Sequence, residues 1–99
     1  MGKIIVIDYD GTYTKMPELI EAIITKAKDL GYRVICATMR FPEETDVGLE
    51  SLRNRIEVYF TSHQAKGIFL LNKGIIPDLW VDDNPYWILC DADQPFSNL

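Results

Sequence analysis

Soft metal ligands are scarce in this chain: the 99 residues include one histidine, His63, and two cysteines, Cys36 and Cys90. With so few, and with no metal-ligand spacing among them, neither a zinc centre nor a disulfide framework is expected, and both thiols read as reduced. Long apolar runs are missing too. No stretch approaches the roughly 20 residues that cross a bilayer, and the N-terminus has neither the basic start nor the long apolar centre of a secretion signal. A cytoplasmic location and no membrane partner are the expectations. Basic residues are outnumbered, ten Lys and Arg against fifteen Asp and Glu, for a formal net charge of −5. Holding duplex nucleic acid by its phosphates needs a basic face, so that function is not expected. Repeats and low-complexity tracts are also absent. The length leaves room for a single domain, residues 1–99, with a small core over residues 1–90 and a loose tail at 91–99.

What the chain does have is concentrated near its start. Ile4, Ile5, Val6 and Ile7 form a continuous β-branched run without polar alternation, the pattern of a strand covered on both faces of a parallel sheet. The run empties into Asp8, Asp10 and Gly11. Period-two geometry sends the two carboxylates the same way, and glycine allows a sharp turn or a close backbone approach to a ligand. Open α/β sheets bind ligands at that edge; Asp-x-Asp-Gly is equally good turn chemistry.

The rest of the chain reads as alternating strands and helices. Pro17-Glu18 starts a helix on which Leu19, Ile20, Ile23, Ile24, Ala27 and Leu30 recur at helical spacing, with Gly31 placed to cap it. Strands are predicted over 3–8, 33–38, 56–60 and 79–82, the third at an edge because Glu57 interrupts its apolar run. Phe41 to Asn54 reads as one short amphipathic helix, Ala65 to Lys73 as another, and Tyr86 to Cys90 as a further short edge strand. Together they predict an α/β fold, a three-layer Rossmann-like parallel sheet with helices on both faces.

Three further positions sit where a site would be built. Thr38 ends the second strand as Asp8 ends the first, and Arg40 follows two residues on, either to grip an anion bidentately or to lie solvated on the surface. Lys66 falls at a helix start, where the helix dipole disfavours a cation unless an anion lies nearby. The fourth strand runs into Asp82-Asp83-Asn84-Pro85, repeating the opening pattern. Clustered carboxylates repel unless a cation joins them, so part of the acidity can belong to a metal site.

Asp8, Asp10 and Thr12 match the Asp-x-Asp-x-Thr motif that follows the first strand in the haloacid dehalogenase-like (HAD) phosphatase superfamily, and the chain resembles that family's small, capless members. Thr38 matches its second motif and Lys66 its third, with Lys73 as the fallback; Asp82 and Asp83 match its fourth. The resemblance implies strand order 4-1-2-3, with Asp82 beside Asp8. It further implies a Mg²⁺-dependent phosphatase acting on a small phosphorylated substrate. Asp8 would be the nucleophile and Asp10 the acid and base. Thr38, Lys66, Gly11 and Arg40 would bind the phosphoryl group, and Asp8, Asp10, Asp82 and Asp83 would surround the metal. Asp83 would support Lys66 or a metal-bound water. With so few residues between Tyr13 and Met16 there is no cap, and a homo-oligomer covering the open site is expected. An oxygen-only donor set suits Mg²⁺. A phosphoacceptor receiver domain would need an acid after the third strand, where Phe60-Thr61-Ser62 offers none. The alternative that stays open is a catalytically weak module that binds a phospho-ligand or metal.

Overall fold

The β-branched runs form one sheet. In the computed structural model, which describes residues 2–92, its strands are β1 (Ile4–Ile7), β2 (Arg33–Thr38), β3 (Glu57–Phe60) and β4 (Leu79–Val81), all parallel, in the order β3-β2-β1-β4. Read from the β4 edge this is 4-1-2-3. Three of the four strands are slightly shorter than predicted, and β3, with exposed Glu57, lies at an edge.

Alternation along β1 divides the core in two. Ile5 and Ile7 face helix α1 (Pro17–Asp29) and helix α2 (Val47–Arg53), where they pack with Ile20, Ile24, Leu49 and Leu52. Val6 faces the opposite side and joins Ile35, Ala37 and Leu70 beneath helix α3 (Lys66–Leu71). Helices therefore cover both faces. Ile20, wholly buried, contributes about 1.5–3 kcal/mol by leaving water. Both cysteines are free thiols, and among the described residues no helix is long and apolar enough to cross a membrane.

Two local expectations are corrected. Tyr86 to Cys90 is not an edge strand: Tyr86–Leu89 is a short helix, α4, packed against α3. Pro85, with φ −64°, suits a first helical turn, and the amides of Trp87, Ile88 and Cys90 bond back to Asn84, Pro85 and Tyr86. Phe41 to Asn54 is not one helix but a 3₁₀ turn, Pro42–Glu44, followed by α2, because Asp46 stops the chain in an extended conformation and caps α2 through its side chain. The tail is anchored at its start. Asp91 accepts from the amide of Ala65, and Ala92 is buried with its amide on the carbonyl of His63; residues 93–99, the remainder of the expected loose tail, lie outside the described residues.

Candidate functional site

Parallel register sets the site. Ile7 pairs with Val81, so the residues that follow, Asp8 and Asp82, leave adjacent strands side by side, and the Asp8 amide donates to the Val81 carbonyl at 2.9 Å. Lys66 arrives from the start of α3. Its Nζ lies 2.7 Å from Asp8 Oδ1 and 2.7 Å from Asp82 Oδ2, and all three side chains are buried. This resolves the cation at a helix start: two carboxylates offset the dipole. Lys73, by contrast, lies over the rings of Phe69 and Tyr59.

The turn after β1, Tyr9–Tyr13, is broken at Asp10 and Gly11, whose dihedrals are not helical. Gly11 sits at φ +83°, a backbone conformation that favours glycine, and a Cβ there would fall 2.4 Å from Asp83 Oδ2, so that side chain would have to shift. Behind it the buried Thr12 hydroxyl lies 3.0 Å from Asp8 Oδ2 and 3.2 Å from Asp83 Oδ1, and accepts from the Asp83 amide. With one hydrogen, it donates to one carboxylate at a time. Asp83 thus supports the site through Thr12, and Lys66 bonds to Asp8 and Asp82 instead.

Charge is unevenly compensated here. Asp8, Asp82 and Asp83 present carboxylate oxygens that all lie within 4.8 Å of one another; Asp8 is buried, Asp82 is half-buried as a residue although its side chain is covered, and Asp83 is exposed. These three carboxylates could hold a metal ion. Burial pushes the Asp8 carboxyl up to about 7; the Lys66 charge opposes this and the Asp82 charge adds to it. For Lys66, burial favours the neutral amine, yet the charges of Asp8 and Asp82 outweigh it and hold the ammonium above its ordinary value.

Asp10 belongs to a second cluster. Arg40 forks onto it, Nε 2.9 Å from Oδ2 and Nη2 2.7 Å from Oδ1, while Nη1 reaches the Glu44 carbonyl at 2.7 Å and Asp46 Oδ2 at 3.2 Å. The guanidinium also lies over the Tyr9 ring, 5.3 Å from its centroid, and the hydrogen bond to Asp10 raises its already high pKa. Arg40 is thus not a solvated surface residue, and the anion its fork grips here is the chain's own Asp10. Thr38, at the end of β2, is fully buried, its hydroxyl 3.4 Å from the Arg40 amide.

A cavity of about 210 Å³ opens over these groups. Asp8, Asp10, Gly11, Lys66, Asp82 and Asp83 line it, and Thr38 and Arg40 do not. Met39, Asn84 and Trp87 complete the wall, and sequence reasoning missed all three. The buried Nε1 of Trp87 has no hydrogen-bond partner among the described residues. Asp46 was missed as well, although an Asp just before the first helical residue is an N-cap signal. Drug-sized ligands fill roughly 300–1,000 Å³, so this cavity accommodates a compact group with the remainder of its bearer outside.

No protein-family model, curated protein or solved structure matches the chain.

Proposed function

We propose that this protein is a Mg²⁺-dependent phosphatase of the HAD kind, hydrolysing a phosphomonoester through an aspartyl-phosphate. The observation that carries the reading is the buried Asp8 carboxylate at the floor of a small cavity, 2.7 Å from the Lys66 ammonium, with Asp82 in the same ion-paired group. A phosphoryl group is already negative. An anionic nucleophile approaches it only where cations absorb charge.

Asp8 attacks phosphorus, and the bond from phosphorus to the leaving oxygen breaks. Asp10, lining the same cavity, gives that oxygen a proton, then takes one from the water that attacks the aspartyl-phosphate and restores the Asp8 carboxylate. Lys66 holds phosphoryl oxygen as well as orienting Asp8. Asp8, Asp82 and Asp83 are the residues that would hold Mg²⁺: three carboxylates offer oxygens within 4.8 Å, and an all-oxygen donor set is the kind that ion takes. When bound, the ion supplies further charge neutralisation at the transferring group. The substrate is small or presents its phosphate on a projecting end, and a second copy of the chain covering the open site belongs to the same proposal.

A second reading, a module that binds a phospho-ligand or metal without turnover, draws on one observation: both carboxylate oxygens of Asp10 are held by Arg40. One assay separates the two. With p-nitrophenyl phosphate and Mg²⁺, the wild type turns over and Asp8→Asn releases no nitrophenol and acquires no phosphate by intact-protein mass spectrometry. Nitrophenolate leaves without a proton, so Asp10→Asn releases about one equivalent and stalls as a phosphoprotein. A wild type inert toward this ester and a panel of phosphometabolites supports the module.

A further inference from the structure

Arg40 stands outside the cavity wall, yet it touches the residue assigned as acid and base. We infer that Arg40, tethered by Asp46, is a positioning residue for Asp10 and does not bind the phosphoryl group; the inference rests on the phosphatase reading above. The geometry is a closed ring of contacts. The Arg40 fork takes both oxygens of Asp10 at 2.9 and 2.7 Å, and a bidentate guanidinium fixes the plane of the carboxylate as well as its charge. The remaining donor, Nη1, is held by the Glu44 carbonyl at 2.7 Å and by Asp46 Oδ2 at 3.2 Å.

Asp46 divides its two oxygens. Oδ2 faces Arg40, while Oδ1 accepts from the Leu49 amide at 2.8 Å and from the Tyr9 hydroxyl at 2.9 Å. Tyr9 precedes Asp10 in the chain and carries the guanidinium over its ring, which closes the ring. Gly48 makes this approach possible, because a Cβ there would lie 2.2 Å from the Tyr9 hydroxyl oxygen. A base that activates water must be aimed. The fork fixes the plane of the Asp10 carboxylate, which lines the cavity. Together the fork and the Nη1 contacts take four of the five guanidinium N–H groups, so Arg40 has no second pair with which to grip a phosphate bidentately.

Because Asp46 is partly exposed, its tether is the weaker part, and the Glu44 carbonyl shares the load. Arg40→Ala therefore lowers steady-state turnover of p-nitrophenyl phosphate by about a hundredfold, and Asp46→Asn by about tenfold, the scale of losing alignment by an ångström or less. Asparagine keeps the helix cap. Arg40→Lys does not rescue, since an ammonium has no fork. Both variants show a burst of nitrophenol near one equivalent, and inorganic phosphate inhibits them as tightly as the wild type. On an Asp10→Asn background, neither substitution slows release of the first equivalent of nitrophenol any further, because groups that act through one residue are not additive.

Three results overturn the inference. Inhibition by phosphate that weakens in step with turnover assigns Arg40 to the phosphoryl group. Further slowing on the Asp10→Asn background makes Arg40 independent of Asp10. A wild type that forms no phosphoprotein and turns over no ester overturns the phosphatase reading and this inference with it.

Discussion

Replacing Lys66 by methionine keeps the apolar stem of the side chain and removes the ammonium, leaving Asp8 and Asp82 without the cation that lies 2.7 Å from each. Lys66 is 3% exposed, so water does not take its place. Removing one partner of a buried ion pair costs about 3–5 kcal/mol, and here one cation serves two acids, which places the cost at the upper end. A domain of this size has on the order of 5–15 kcal/mol of total stability, so the variant loses a third of it or more. The loss depends on pH with a definite sign. Asp8 titrates near 7 in the folded chain against an ordinary 3.8. Its protonation supports the folded state fully below about 3.8, and that support is lost as pH rises through about 7. Without Lys66, which opposes the upward shift, Asp8 holds its proton still more firmly. At pH 5 the folded variant therefore leaves Asp82 unpaired, and at pH 8 it leaves both acids or retains a proton at a cost. Lys66 titrates above its ordinary value of 10.5 and stays charged throughout this window. Urea unfolding followed by tryptophan fluorescence, in EDTA, at pH 5 and pH 8 is the assay. The expected loss is larger at pH 8 by about 1 kcal/mol or more. A loss below about 1 kcal/mol at both pH values, or a larger loss at pH 5, would refute the buried ion-pair account.

Two further outcomes are expected. Mg²⁺ raises the unfolding temperature of the wild type, by the equivalent of about 2.7 kcal/mol at a hundred times its dissociation constant, and raises it less in Asp82→Asn and Asp83→Asn; a wild type indifferent to Mg²⁺ in differential scanning calorimetry removes the metal from the proposal. Gly11→Ala loses about 1–2 kcal/mol from its backbone alone, plus whatever Asp83 must yield at a 2.4 Å approach, and an unchanged urea midpoint would show that this turn is not held as described.

The elements most legible in the sequence were those with a period. Ile4 to Ile7 and Arg33 to Thr38 carry unbroken or nearly unbroken apolar runs, and a strand with no polar face must be covered on both sides, which dictates a central place in a parallel sheet with helices above and below. Acids at the ends of two such strands then share one edge wherever those strands are neighbours, and Asp8 and Asp82 do. Lys66 was legible because a cation at a helix start needs an anion. Tyr86 to Leu89 was not: four apolar or aromatic residues show no period, and Pro85 together with the neighbouring α3 made them a helix. The partner of Arg40 was not legible either. A guanidinium reaches in many directions from its backbone, and its contact with Asp10, thirty residues away in sequence, depends on how the turn after β1 and the loop before α2 meet. Local sequence determines which face of an element is apolar and where its ends lie; which polar side chains meet across those ends is decided by the packing of segments distant in the chain.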